Sequence, residues 1–198
     1  MIKKLLNPFA YFDDKLLLII GLSTHLFFTF IALKTNFYFP DFIDLKQNGI
    51  DYTFWELLYQ NTRNNLLVIL CLFGLGKIFN SKTRLIDLIN TILLAKAVFQ
   101  LSLLLDFIPS IHRTLEQVHT AYLQQQIEIL QQPSILIMLL LFAFVAILCL
   151  FAMFYYIFIG FKTATNIKTV PQILLFIVVL LTSIVISTVL AFFIPHQF

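Results

Sequence analysis

Two long stretches in the last third of this chain contain no charged residue. They cover positions 135–160 and 170–194, and each is longer than the about 20 residues that an α-helix needs to cross a bilayer core. After Glu128, the formally charged residues are Lys162 and Lys168. A helix that is apolar on every side is buried either in a large protein core or in a membrane. The sequence therefore predicts an integral membrane protein.

The composition supports this class. Hydrophobic residues make up 60% of the 198 residues and charged residues 12%, whereas average globular proteins have about 45–50% and about 25%. The length suits one membrane domain, 1–198, surrounded by the lipid bilayer. The net charge of +3 gives no indication of a nucleic-acid partner.

Hydropathy predicts an all-α bundle of five transmembrane helices, at about residues 16–33, 64–79, 85–108, 135–160 and 170–194. Span two has a short apolar core of about 14 residues, or about 21 Å, against a bilayer core of about 30 Å. We expect its helix to extend backward through residues 54–59. The segment at about 110–132 has apolar residues at helical spacing (Ile111, Leu115, Val118, Tyr122 and Leu130) and predicts an amphipathic outer helix.

The distribution of basic residues predicts the orientation. One side of the predicted bundle has eight of them: Lys3, Lys4, Lys15, Lys77, Lys82, Arg84, Lys162 and Lys168. The other side has four: Lys34, Lys46, Arg63 and Arg113. Because cytoplasmic loops carry an excess of Lys and Arg, we expect the N-terminus inside and the C-terminus outside. The acidic connection 35–63 and the amphipathic helix then face outward.

Lys96 lies in the middle of span three, where a charge costs at least about 2.5 kcal/mol. Asp87 and Asp106 are too far along the helix to pair with it. Gln100 is one turn away on the same face and offers a carbonyl oxygen. Lys96 is therefore neutral, or faces a water-filled cavity, or bonds carbonyls across the bundle as a tether.

A second polar position lies in span one, at a depth similar to that of Lys96. His25 shares its helix face with Thr29. If spans one and three touch, His25, Lys96 and Gln100 form one intramembrane polar site. The alternative is a neutral imidazole that bonds a neighbouring carbonyl.

Three potential metal ligands lie on one face of the amphipathic segment. His112, Glu116 and His119 fall within one helical arc, so they are metal candidates. Their spacing is not the H-E-x-x-H pattern, and a solvated helix face explains it equally well. We therefore predict no metal and retain these residues as low-ranking candidates.

Small residues recur on two other spans. Ser183 and Ser187 are four residues apart on span five, and Gly74 and Gly76 lie on span two. Small side chains allow helices to approach closely, which predicts packing positions. The alternative is a hinge or a self-association face.

Two segments resemble the Yip1 domain family of five-span membrane proteins, in its bacterial form. They are Asn-Pro-Phe-Ala-Tyr-Phe at 7–12, before span one, and the segment 76–87 that enters span three. The order of helices is also similar. The resemblance implies a bacterial inner-membrane protein related to eukaryotic trafficking factors, which associate with small GTPases and with one another. A homo-oligomer or other membrane proteins are then the expected partners, and no catalytic residue is carried over.

These observations favour a non-enzymatic membrane scaffold or assembly factor without a cofactor. The sequence has no Gly-rich phosphate loop, no G-x-S-x-G and no acidic pair within a span. The alternative is a small carrier or channel subunit with a midplane cavity around Lys96. An enzyme at the outer face, using His112, Glu116 and His119, ranks last.

Overall fold

The computed structural model describes residues 2–47, 50–125 and 127–193. Within these ranges the protein is helical, with one isolated antiparallel bridge between Tyr38 and Lys46 and no extended strand. The α-helices are α1 (Ile2–Leu6), α2 (Asp14–Lys34), α3 (Phe54–Phe79), α4 (Leu85–Gln100), α5 (Pro109–Leu123), α6 (Pro133–Thr165) and α7 (Val170–Phe193). Short 3-10 segments cover Pro8–Ala10, Leu101–Phe107 and Ile127–Gln131.

Five helical segments of the described chain are long and apolar enough to cross a membrane. They are Asp14–Lys34, Phe54–Phe79, Leu85–Phe107, Pro133–Thr165 and Val170–Phe193. The all-α class and the five candidate spans are therefore confirmed. The orientation with the N-terminus inside stays a prediction. Position 194, the predicted end of span five, and the C-terminal residues 195–198 lie outside the described residues.

The helix of span two starts well before residue 64, the start of the span predicted at 64–79. It begins at Phe54, as the expected backward extension requires. The cap is reciprocal, because the Thr53 hydroxyl accepts the Glu56 amide and the Glu56 carboxylate accepts the Thr53 amide at 2.7 Å. Such a capping box satisfies two amides that the first helical turn leaves without partners. The additional turns are polar, which is why hydropathy alone underestimates the helix.

The predicted amphipathic helix at 110–132 is not continuous. Helix α5 ends at Leu123, and Gln125 has a positive φ of 56°, which a right-handed helix cannot include. A 3-10 segment follows instead of further α-helix. Tyr122 was expected on the apolar face, but its side chain is 80% exposed, whereas Ile111 is buried as expected.

Helix α4 is the centre of the bundle and α6 is at its periphery. In the most apolar window of each span, 67% of the third is buried inside the protein but only 6% of the fourth. Leu88 and Ile92 on α4 pack in one cluster with Ile157 and Phe161 on α6. Residues of α4 are therefore the best placed to contact several other helices.

Contacts at the two ends of the bundle agree with helices that alternate in direction. At one end, Arg84 before α4 bonds Asp14 at the start of α2, with 2.7 Å between Nη2 and Oδ2. At the opposite end, Thr188 near the end of α7 donates to Asp41, 3.1 Å away, in the connection between α2 and α3. Successive spans therefore run antiparallel.

Candidate functional site

Four carboxamide side chains form a buried polar face on α3. Gln60, Asn61, Asn64 and Asn65 are each at most 2% exposed. They recur at helical spacing, so two turns of the helix present amides toward the interior. The sequence analysis missed this face because it treated the region before residue 66 as an interfacial extension. The signal was present as six consecutive polar residues at positions 60–65.

The connection between α2 and α3 folds into the bundle and meets this polar face. We call residues 37–44 the docked loop. Its base is closed by the bridge in which Tyr38 and Lys46 exchange backbone hydrogen bonds of 2.8 and 3.2 Å. Phe39 and Phe42 are fully buried. This part of the acidic connection therefore packs inside the bundle, and the expectation that the connection lies on the outer side of the membrane stays a prediction.

The amide side chains of α3 hold the docked loop by its backbone. The Phe39 amide donates to the Gln60 side chain at 3.1 Å, and its carbonyl accepts from Asn64 at 3.0 Å. Arg63 Nη2 donates to the Pro40 carbonyl at 2.9 Å. Buried backbone groups outside regular secondary structure need hydrogen-bond partners, and these residues supply them.

Asp41 stabilises the tip of the docked loop. Its Oδ1 accepts the amides of Ile43 and Asp44, both at 3.0 Å, and its Oδ2 accepts the Thr188 hydroxyl at 3.1 Å. The carboxylate is almost fully buried. A buried carboxylate is costly unless it is hydrogen-bonded, so these three donors account for its position. Asp41 thereby joins the loop to α7.

Lys96 reaches the same loop from α4. Its ammonium donates to the Phe42 carbonyl and lies over two rings, 5.1 Å from the centroid of Phe42 and 4.9 Å from that of Phe99. The side chain is 1% exposed. Of the three states considered for Lys96, the structure shows the bond to a carbonyl. The acceptor belongs to the docked loop, not to another helix.

Gln100 does not bond Lys96. It is buried one turn farther along α4, and its Nε2 has no hydrogen-bond partner among the described residues. The helix tightens into a 3-10 segment immediately after it. The predicted shared face is present, but the predicted carbonyl contact between Gln100 and Lys96 is not.

His25 belongs to a second polar cluster, between α2 and α3. Its Nε2 lies 3.0 Å from the Thr62 hydroxyl, and its Nδ1 lies 3.4 Å from Asn65 Nδ2. Asn61 donates to Thr29 at 3.2 Å, which closes the cluster. The imidazole therefore bonds side chains. The predicted alternative, a bond to a neighbouring backbone carbonyl, is not what the structure has. Lys96 is close enough to His25 to interact with it electrostatically, without a direct bond.

The predicted metal candidates do not converge. His112 lies between two carboxylates, 3.1 Å from Asp106 through Nδ1 and 3.2 Å from Glu116 through Nε2. His119 does not take part in this group. No cluster of three His, Cys, Asp or Glu residues in the described chain has the arrangement of a metal site.

The predicted packing residues divide into two kinds. Ser183 and Ser187 are buried on α7, and a Cβ added at Gly76 would lie 3.0 Å from Thr83 and 3.3 Å from Thr165. A Cβ at Gly74 would meet no described atom within 4 Å. Gly74 therefore makes no close helix contact inside the described chain, and its predicted packing role there is wrong.

The two segments that carry the family resemblance meet at the N-terminal end of the bundle. Phe9 from the first segment and Asp87 from the second line a cavity of about 140 Å³, together with Asp14, Arg84 and Asn90. Bonds to Asp87 and Asp14 raise the pKa of Arg84 above its ordinary value. Arg84 and Asp14 are exposed, so we expect their ion pair to contribute little stability.

No family model matches the chain, and neither does any of the curated proteins or solved structures compared with it. The resemblance to the Yip1 domain family therefore stays a prediction.

Proposed function

We propose that this protein is a non-enzymatic, multi-pass membrane protein that acts as a scaffold or assembly factor for other membrane proteins. The resemblance to the Yip1 domain family favours this function and a location in a bacterial inner membrane. The supporting observation is the role of Lys96. Its ammonium is bonded to the docked loop, which is the behaviour of a structural tether. Intramembrane ionisable groups otherwise suggest a transport pathway.

The interior of the bundle supports the same proposal. Gln60, Asn64 and Asp41 bond backbone or side-chain groups of the protein itself. Polar groups satisfied in this way rigidify a core and specify one arrangement. A rigid core suits a protein that binds its partners through its outer surface.

The long helix α6 is the best candidate for that surface. It has 33 residues, which correspond to about 50 Å at about 1.5 Å per residue, more than a bilayer core of about 30 Å. Phe144 and Phe151 are 62% and 68% exposed on it. Aromatic side chains are enriched at protein interfaces, so this face suits a second copy or another membrane protein.

Photo-cross-linking in native membranes tests the scaffold. A photoreactive phenylalanine analogue placed at Phe151 should give a discrete protein adduct. The matched control is Phe27, which is 51% exposed on α2 and should give lipid adducts alone. Absence of any discrete protein adduct from several positions on α6 would contradict the scaffold.

The second candidate is a small carrier or channel subunit centred on Lys96. It is favoured by two buried side-chain amide atoms without partners among the described residues, Gln100 Nε2 and Asn65 Oδ1. Buried polar atoms without a hydrogen-bond partner are unusual in a protein core, and they suit a site that binds a polar solute. Solute flux into proteoliposomes that is lost in Lys96→Met would favour the carrier over the scaffold.

A further inference from the structure

A lateral groove lies along the outer face of α3, where this helix approaches the end of α7. Its volume is about 700 Å³, which falls within the range of ligand pockets, about 300–1,000 Å³. The walls are mainly leucine side chains: Leu58, Leu66, Leu67, Leu70 and Leu190. A groove with this volume and these apolar walls accommodates a hydrocarbon chain.

A positive charge lies about midway along the groove. Arg63 lines it, and the guanidinium bonds the Asn64 side chain at 3.1 Å and the Pro40 carbonyl at 2.9 Å. Both acceptors are neutral. No carboxylate of the described chain lies within ion-pair distance of Arg63. The groove therefore combines an apolar wall with a cation that makes no ion pair within the described chain.

The nearest acid does not neutralise this charge. Asp41 acts electrostatically on both Arg63 and Lys96, and Asp44 acts on Lys96 as well. Its oxygens are already bonded to the Ile43 and Asp44 amides and to the Thr188 hydroxyl. Asp41 therefore forms no ion pair with Arg63.

The position of Arg63 along α3 matches the region just below lipid headgroups. Arg63 precedes Lys77, at the other end of the helix, by 14 residues, which correspond to about 21 Å. In a core of about 30 Å, the long arginine side chain reaches toward the opposite boundary. Tyr59 lines the same groove one turn nearer that boundary, and Trp55 lines it two turns nearer. Both residue types favour the membrane–water interface.

We propose that this groove binds one phospholipid, with its phosphate on Arg63 and an acyl chain along the leucines of α3. The proposal rests on the proposed membrane insertion but not on the scaffold role. Charge complementarity selects the ligand, since arginine is suited to phosphate, whereas a neutral lipid offers only uncharged ester and hydroxyl oxygens to the guanidinium. The phospholipid thus supplies the counter-ion that the chain does not.

Native mass spectrometry of the full chain in mild detergent tests this site. The probes are phosphatidylglycerol and a diacylglycerol with the same acyl chains. We expect wild type to retain one phosphatidylglycerol per chain and no diacylglycerol. Arg63→Gln should lower retention about tenfold or more, since a charge-assisted hydrogen bond is lost. Arg63→Lys should retain an intermediate amount, because it keeps the charge without the planar fork.

A second variant distinguishes loss of lipid binding from misfolding of Arg63→Gln. Leu66→Trp fills the groove and leaves Arg63 in place, and it should also lower retention. Its control is Leu141→Trp, because Leu66 and Leu141 are similarly exposed, at 50% and 51%, and Leu141 lies on α6. Equal retention by all variants, equal retention of diacylglycerol, or no retention by wild type would overturn the proposal. Cross-linking at Phe151 reports the scaffold separately.

Discussion

The ammonium of Lys96, in the middle of the third candidate span, is bonded to the backbone carbonyl of Phe42, 54 residues earlier in the chain. The bond joins the most buried helix to a loop that precedes it by an entire span. The charge also lies over the rings of Phe42 and Phe99. Lys96 is therefore a connection between an irregular segment and the helical core.

Replacing Lys96 with methionine should destabilise the bundle by about 1–3 kcal/mol, because the Phe42 carbonyl loses a charged donor while it stays buried. Thermal unfolding of the purified protein in detergent measures the effect. Lys82→Met is the control, since Lys82 is exposed in the turn between α3 and α4. Equal melting temperatures for the two variants would contradict the tether.

Phe42→Ala should remove the main apolar anchor of the docked loop. A fully buried phenylalanine costs about 3–5 kcal/mol when it is truncated to alanine. We expect a lower melting temperature and faster proteolysis within residues 37–44. Phe107→Ala is the matched control because the Phe107 side chain is 56% exposed. Comparable effects from both substitutions would argue against a docked loop.

The glycines of α3 and α6 provide a test of helix packing. A Cβ added at Gly160 would lie 2.9 Å from the Cβ of Thr91 on α4, whereas one at Gly74 would meet no described atom within 4 Å. Gly160→Ala should therefore destabilise by about 1–3 kcal/mol through overpacking. Gly74→Ala should be neutral or slightly stabilising, because alanine is the better helix former. Unfolding in detergent compares the two directly.

The predicted orientation can be read from cysteine labelling in whole cells. In a background without Cys71 and Cys149, a cysteine at Lys46 should react with a membrane-impermeant maleimide. A cysteine at Lys82 should react only after the membrane is opened. The positive-inside bias is the physical reason for this expectation. The reverse labelling pattern would mean that the N-terminus faces outward.

The candidate spans could be predicted from the sequence because apolar length is a local property. Helix α6, for example, lies in a region with few charges over 33 residues. The docked loop could not be found in this way. Its aromatic and acidic residues are typical of a surface connection, and its burial depends on partners on three separate helices. The spacing of Gln60 and Asn64 puts both residues on one face of α3, and this spacing can be seen in the sequence. The partners Lys96 and Thr188 are distant in sequence.

The docked loop also constrains the order in which this protein can mature. The Asp41 carboxylate is synthesised 147 residues before Thr188, which donates to it. Synthesis proceeds from the N-terminus, so the loop emerges before α4 and α7 exist. Until α7 has been synthesised, the loop cannot have its full set of partners. Folding of the docked loop is therefore completed only after α7 is made. A chain truncated before α7 would lack the Thr188 hydroxyl and would leave the Asp41 carboxylate without this donor.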